Sequence, residues 1–76
     1  MVHAFIMVKT AAGRSEDVLT AVRELDGISE AHVVAGEFDV IVEAEADEVY
    51  DVLQTASSDI SGMDGVADTK TYMALD

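Results

Sequence analysis

The sequence predicts an α+β fold in which one four-stranded antiparallel sheet carries two helices on a single face. Three observations lead there. Segments with strand spacing flank a segment with helical spacing, and this strand, helix, strand order occurs twice. A short echo, Asp26-Gly27-Ile28 and Asp64-Gly65-Val66, marks the exit of each helix into a strand. The chain has 76 residues, which is room for one domain over residues 1–76. Right-handed βαβ crossovers then place both helices on the same side of the sheet, as in the ferredoxin-like βαββαβ plait.

Residues 2–9, VHAFIMVK, are apolar on both alternating faces, with Val2, Ala4, Ile6 and Val8 on one and His3, Phe5 and Met7 on the other. That pattern predicts a strand covered on both sides. After a turn at residues 10–13, Ser15 is placed to cap a helix whose first turn holds Glu16 and Asp17, favourable at the positive end of the dipole. Val18, Val22 and Leu25 share one face of it, and Gly27 suits its stop. Residues 28–35 and 38–46 read as two strands, and Gly36 between them leaves space for only a tight loop, so they form a hairpin. Asp47 is placed to cap a second helix with Val49, Val52, Leu53, Ala56 and Ile60 at helical spacing, and residues 66–75 form the last strand.

Two helices cover one sheet face only, yet His3, Phe5, Met7, Val34 and Ile41, with Tyr72 or Met73, make the other face apolar as well. A domain of this size has a marginal core, and without Cys it has no disulfide or thiolate metal site to reinforce it. An apolar face of this extent marks an interface. His3, Phe5, Met7, Val34 and Ile41 are therefore expected at the interface of a homodimer.

Sixteen acidic residues against four basic ones give a net charge of −12, which opposes binding to nucleic acid or to an anionic membrane. The excess of Asp and Glu over Lys, with many small apolar residues, resembles a salt-adapted, halophilic protein, with an ordinary acidic protein as the alternative. With no long apolar run and no basic leader, a cytoplasmic protein is expected.

Catalytic signals are weak. His3 and His32 each lie inside a strand, there is no G-x-S-x-G elbow, and no His-x-x-x-His or Glu-x-x-His spacing supports a metal site. Glu43, Glu45, Asp47 and Glu48 can be read as a cation site or, on so acidic a surface, as a solvated rim. No nucleotide cradle is present, so no catalytic residue, metal or cofactor is expected. One segment stands out. In the hairpin, Gly36-Glu37-Phe38-Asp39 offers approachable backbone amides to an α-carboxylate and the Asp39 carboxylate to an α-ammonium, a pairing that suits an amino-acid zwitterion. A plain tight turn with a solvated Asp39 accounts for the same residues.

Taken together, the opening Ala4-Phe5-Ile6-Met7-Val8-Lys9, the Gly36-Glu37-Phe38-Asp39 hairpin and the closing Gly65-Val66 through Thr69-Lys70-Thr71-Tyr72 make the chain resemble the Lrp/AsnC effector-binding (RAM) domain over nearly its whole length. The resemblance implies dimerisation through sheet faces, assembly of dimers up to octamers, and a small effector, often an amino acid, held between dimers. It places Gly36, Glu37 and Asp39 in the ligand loop, Phe38 in its wall, and Thr69, Thr71 and Tyr72 on the facing strand. Family regulators carry an N-terminal helix-turn-helix, so the chain is expected to be a stand-alone form that contacts DNA only through full-length Lrp/AsnC partners. Two other readings remain. One is a small dimeric α/β-barrel enzyme, of monooxygenase or isomerase type, with a cavity near His3, His32 or Tyr50, and the other is a ligand-free structural oligomer.

Overall fold

The computed structural model describes residues 1–56 and 58–76 in full, together with the backbone of residue 57. The elements run β1 (Val2–Thr10), α1 (Ser15–Arg23), β2 (Ile28–Val33), β3 (Val40–Ala46), α2 (Val49–Gln54) with a π-helical continuation (Thr55–Ile60), and β4 (Val66–Met73). The strands form one antiparallel sheet in the order β2-β3-β1-β4, the ferredoxin-like plait that the strand and helix pattern predicts.

The alternation along β1 sets the layers. Ala4, Ile6 and Val8 are fully buried beneath the helices with Val40, Val42 and Ala44 of β3 and Ala31 of β2. Val18, Leu19 and Val22 of α1 and Val52, Ala56 and Ile60 of the second helix close this core. The last three are spaced by four. In a regular α-helix such a series drifts by about 40° per step, and the wider π turn takes that drift back, returning Ile60 to the sheet. Ser61 fastens the end of this turn by donating its N–H (3.2 Å) and its hydroxyl (3.0 Å) to the Ala56 carbonyl.

The glycines of the two Asp-Gly echoes do related work. Gly27 and Gly65 both adopt positive φ, +84° and +94°, and reverse the chain into β2 and β4. A Cβ on Gly65 would stand 3.1 Å from the Val18 side chain.

Local expectations fail where tertiary contacts override sequence-local signals. Ser15 does not cap α1; it is the first helical residue, and its hydroxyl bonds Thr10 instead. Glu48, not Asp47, precedes α2, and no side-chain cap bond forms there. Val49 and Leu53 are about half exposed, because the layer beneath α2 is filled by Val52 and Ala56. The β2–β3 connection is not a tight turn. It spans residues 34–39, since β2 ends at Val33 and β3 starts at Val40.

On the outer edge of β2, Arg23 of α1 donates from Nε (3.2 Å) and Nη2 (2.7 Å) to the Ala31 carbonyl. Arg14 joins the start of α1 to the turn before β4, pairing with Asp64 at 3.0 Å as well as with Asp17 at 3.2 Å.

Candidate functional site

The loop that carries Gly36-Glu37-Phe38-Asp39 is pinned at its end. Val34 N–H donates to the Asp39 carbonyl at 2.9 Å, adding one rung to the hairpin ladder, and Asp39 N–H donates to the Val8 carbonyl at 3.0 Å. The Asp39 carboxylate is not left to solvent. Its Oδ2 accepts the Thr10 N–H at 2.8 Å and the Thr10 hydroxyl at 3.2 Å. With its one proton so engaged, Thr10 Oγ1 accepts from Ser15, 3.0 Å away. Lys9 Nζ donates to the Glu37 carbonyl at 3.0 Å. Phe38 is half-buried, and Glu37 and Gly36 are exposed. Gly36 does not take a positive φ, and a Cβ there would meet nothing within 4 Å, so neither backbone conformation nor close packing requires a glycine at this position. What the loop presents is the exposed residues 35–37 and a half-buried Asp39 carboxylate whose Oδ2 is taken by Thr10.

Register locates the last strand relative to this loop. Val8 of β1 faces Val40 on one side and Thr69 on the other, so the loop and the start of β4 lie at the same end of the sheet, separated by β1. Thr69, Thr71 and Tyr72 do not form one group. Thr69 and Thr71 stand opposite Val8 and Ile6, on the helix side, whereas Tyr72 stands opposite Phe5 on the uncovered side. The Ser61 hydroxyl proton goes to Ala56, so Thr69 donates its hydroxyl to Ser61 Oγ at 3.0 Å.

The uncovered face holds the expected interface residues. His3, Phe5 and Met7 of β1 alternate away from the core, Ile41 of β3 stands opposite Met7, and Tyr72 of β4 stands opposite Phe5. Val34 follows Val33 on the same side as His32 and is half-buried. His3, Phe5, Met7 and Ile41 are also half-buried, and Tyr72 is 54% exposed. The rings of His3 and Phe5 lie 5.0 Å apart.

A line of polar groups across this face escaped the sequence reading. His32 Nε2 is 3.1 Å from Glu30 Oε1, Glu30 lies directly opposite Glu43, and Glu43 Oε1 is 3.1 Å from His3 Nε2. The hydrogen bond with His32, reinforced by the charge of His32, holds the Glu30 carboxyl below the ordinary carboxylate range. Alternating Glu30 and His32 on one strand were the signal available; their meeting with Glu43 needs the register.

The catalytic alternative requires a cavity near His3, His32 or Tyr50. A shallow cleft of about 330 Å³ is present on the outer edge of β2, lined by Arg23, Ile28, Ser29, Glu30, Ala31 and His32. His3 is on the uncovered face, and Tyr50 is exposed on α2, so the three do not converge. Among the described residues no three His, Asp or Glu side chains are placed to hold a metal ion, and Glu43, Glu45, Asp47 and Glu48 do not form such a group. No helix of the described residues is long and apolar enough to cross a membrane.

Comparison with known proteins agrees with this architecture. The proline dehydrogenase transcriptional activator of Rhizobium radiobacter is 28% identical over 75 residues, and the chain spans about half (48%) of its length. The crystal structure of FFRP-DM1 superimposes with a TM-score of 0.93 at 37% identity, covering 99% of this chain and 100% of that one. A Neisseria meningitidis transcriptional regulator, solved as a complex with L-Met, shares the fold (TM-score 0.87, 21% identity), covering 99% of this chain and 50% of its own. The model of the Lrp/AsnC ligand binding domain matches residues 3–76, so the chain belongs to the Lrp/AsnC ligand-binding domain family.

Proposed function

We propose that the chain is an effector-binding and assembly module of the Lrp/AsnC regulator type, holding a small amino acid at the loop of residues 36–39 between copies of itself. The observation that carries this reading is the uncovered sheet face, where His3, Phe5, Met7 and Ile41 stand only half-buried on a domain too small for a generous core of its own. A second copy, stacked on this face with Val34 at its rim, supplies the missing cover. The loop supports the ligand part, since residues 35–37 are exposed and the Thr10 bonds to Asp39 use only its Oδ2, leaving Oδ1 for an ammonium group. Tyr72 is a wall residue on the uncovered side. Thr69 and Thr71, at the same end of the sheet but on the helix side, enter the site through a neighbouring dimer. That the Neisseria regulator was solved with L-Met supports an amino acid as the ligand class.

Any effect on transcription then runs through full-length Lrp/AsnC regulators, because the net charge of −12 opposes direct contact with DNA. The test is light scattering together with a thermal-shift panel of the twenty amino acids in concentrated KCl. A dimer or larger species stabilised by at least one amino acid is expected. A monomer removes the interface, and an oligomer that no amino acid stabilises is a ligand-free structural assembly.

A further inference from the structure

We propose that association through the uncovered sheet face takes up protons, bound by the line His32, Glu30, Glu43 and His3; this rests on the reading that a second copy covers that face. The line crosses three strands, from β2 over β3 to β1, through a 3.1 Å contact at each end and a directly opposed carboxylate pair in the middle. The Glu43 and His3 side chains are 28% and 41% exposed and stand beside Phe5, so a partner seated on the apolar strip removes water from them.

The surroundings do not neutralise the pair. Glu45 of β3 stands opposite His3 and adds a further negative charge. On β4, Tyr72 lies opposite Phe5 and Lys70 opposite Met7, both beyond β1 from the carboxylates, while Lys9 and Asp68 face one another at the far end. Among the described residues, the ion pairs of Glu30 and Glu43 are made with the two imidazoles alone.

The sign follows from charge. With neutral imidazoles the line carries two negative charges, and a two-fold copy brings two more into a layer that is losing solvent. With both imidazoles protonated the line is neutral. A proton on a carboxyl relieves the same excess; desolvation alone would disfavour an imidazolium, and the carboxylates Glu30, Glu43 and Glu45 around the line outweigh it, so covering the face favours proton uptake. A group whose pKa is raised on association strengthens the complex fully below its free value, and that contribution is lost as pH rises through the raised value. Imidazole is the side-chain group whose charge changes between about pH 5 and about pH 8, and that sets the range over which the test is made. One proton taken up per dimer changes the dissociation constant about tenfold per pH unit.

Sedimentation of labelled protein over a range of concentrations, at about pH 6 and about pH 8 in the same KCl concentration, reads this directly. Where dissociation is too tight to follow, the urea midpoint of dimer unfolding reads the same shift. The wild-type dimer is expected to be at least about tenfold weaker at the higher pH. Two variants are expected to lose this dependence: His3→Gln with His32→Gln, and Glu30→Gln with Glu43→Gln, the second also tightening the dimer at pH 8. A dimer with the same affinity at both pH values overturns this inference alone, as does an unchanged pH dependence in whichever variant folds. A monomer under both conditions overturns the dimer reading as well.

Discussion

The Asp39 carboxylate accepts both the N–H and the hydroxyl of Thr10, tying the β2–β3 loop to the end of β1 across 29 positions of sequence. Asp39 is therefore a structural residue of the loop whatever else it binds. Asp39→Ala is expected to lower stability by about 1.5–3 kcal/mol, the range for losing hydrogen bonds to a charged group. Hydrogen exchange at the Thr10 and Val34 amides should quicken in the same variant. If stability and exchange are unchanged, the Thr10 contacts do not hold the loop.

Glycine substitutions should separate two kinds of position. Gly36→Ala is expected to be neutral or to raise stability by up to about 1 kcal/mol, since the site has ordinary φ, open space and a chain entropy to lose. Gly65→Ala should destabilise by about 1–2 kcal/mol or more, from its positive φ and the 3.1 Å approach to Val18. Thermal unfolding of the two variants gives the comparison.

Phe5→Glu places a carboxylate in the middle of the apolar strip, beside Glu43 in the register and already short of cations. It is expected to yield a folded protein that no longer self-associates, read by circular dichroism together with light scattering. Retention of the wild-type oligomer would move the interface elsewhere.

Salt should stabilise the chain. Sixteen carboxylates face four basic groups, three of which are engaged by Asp17, Asp64 or backbone carbonyls. Screening of the remaining repulsion raises the unfolding midpoint as KCl increases from about 0.1 M to about 1 M, where the Debye length has fallen to about 3 Å. A flat or falling midpoint would mean that the surface charge costs the fold nothing.

At the acid end the sign reverses. The Glu30 carboxyl is held below its ordinary value, so its contribution is present above that value and lost as pH falls through the lowered one. Acid unfolding followed by circular dichroism should begin at a higher pH in His32→Gln than in the wild type.

How far the sequence carried depended on range. Alternation in residues 2–9 told which side of β1 lies under the helices, and Ile41 was assigned correctly to the other side, because strand period is a local property. The same rule separates Thr71 from Tyr72, but the positions that the resemblance carried over ignored it. The caps expected at Ser15 and Asp47 do not form: Ser15 lies inside α1 and bonds Thr10, and Glu48, which makes no cap bond, stands between Asp47 and α2. The Asp39 to Thr10 bonds and the Glu30 to Glu43 meeting depend on register between strands far apart in the chain, and composition holds no trace of them.

An open sheet has two ways to grow. It can stack on its face or lengthen at its rim, and an open rim is the route by which strands add without limit. Along β2 the carbonyl of Ala31 points outward, where a stray strand would begin to pair, and Arg23 already occupies it with two donors. A newcomer that pairs with the Ala31 carbonyl must first displace a guanidinium. That single side chain makes the β2 rim a poorer template for a further strand than a bare edge would be, which leaves growth by stacking the less obstructed route on that side of the molecule.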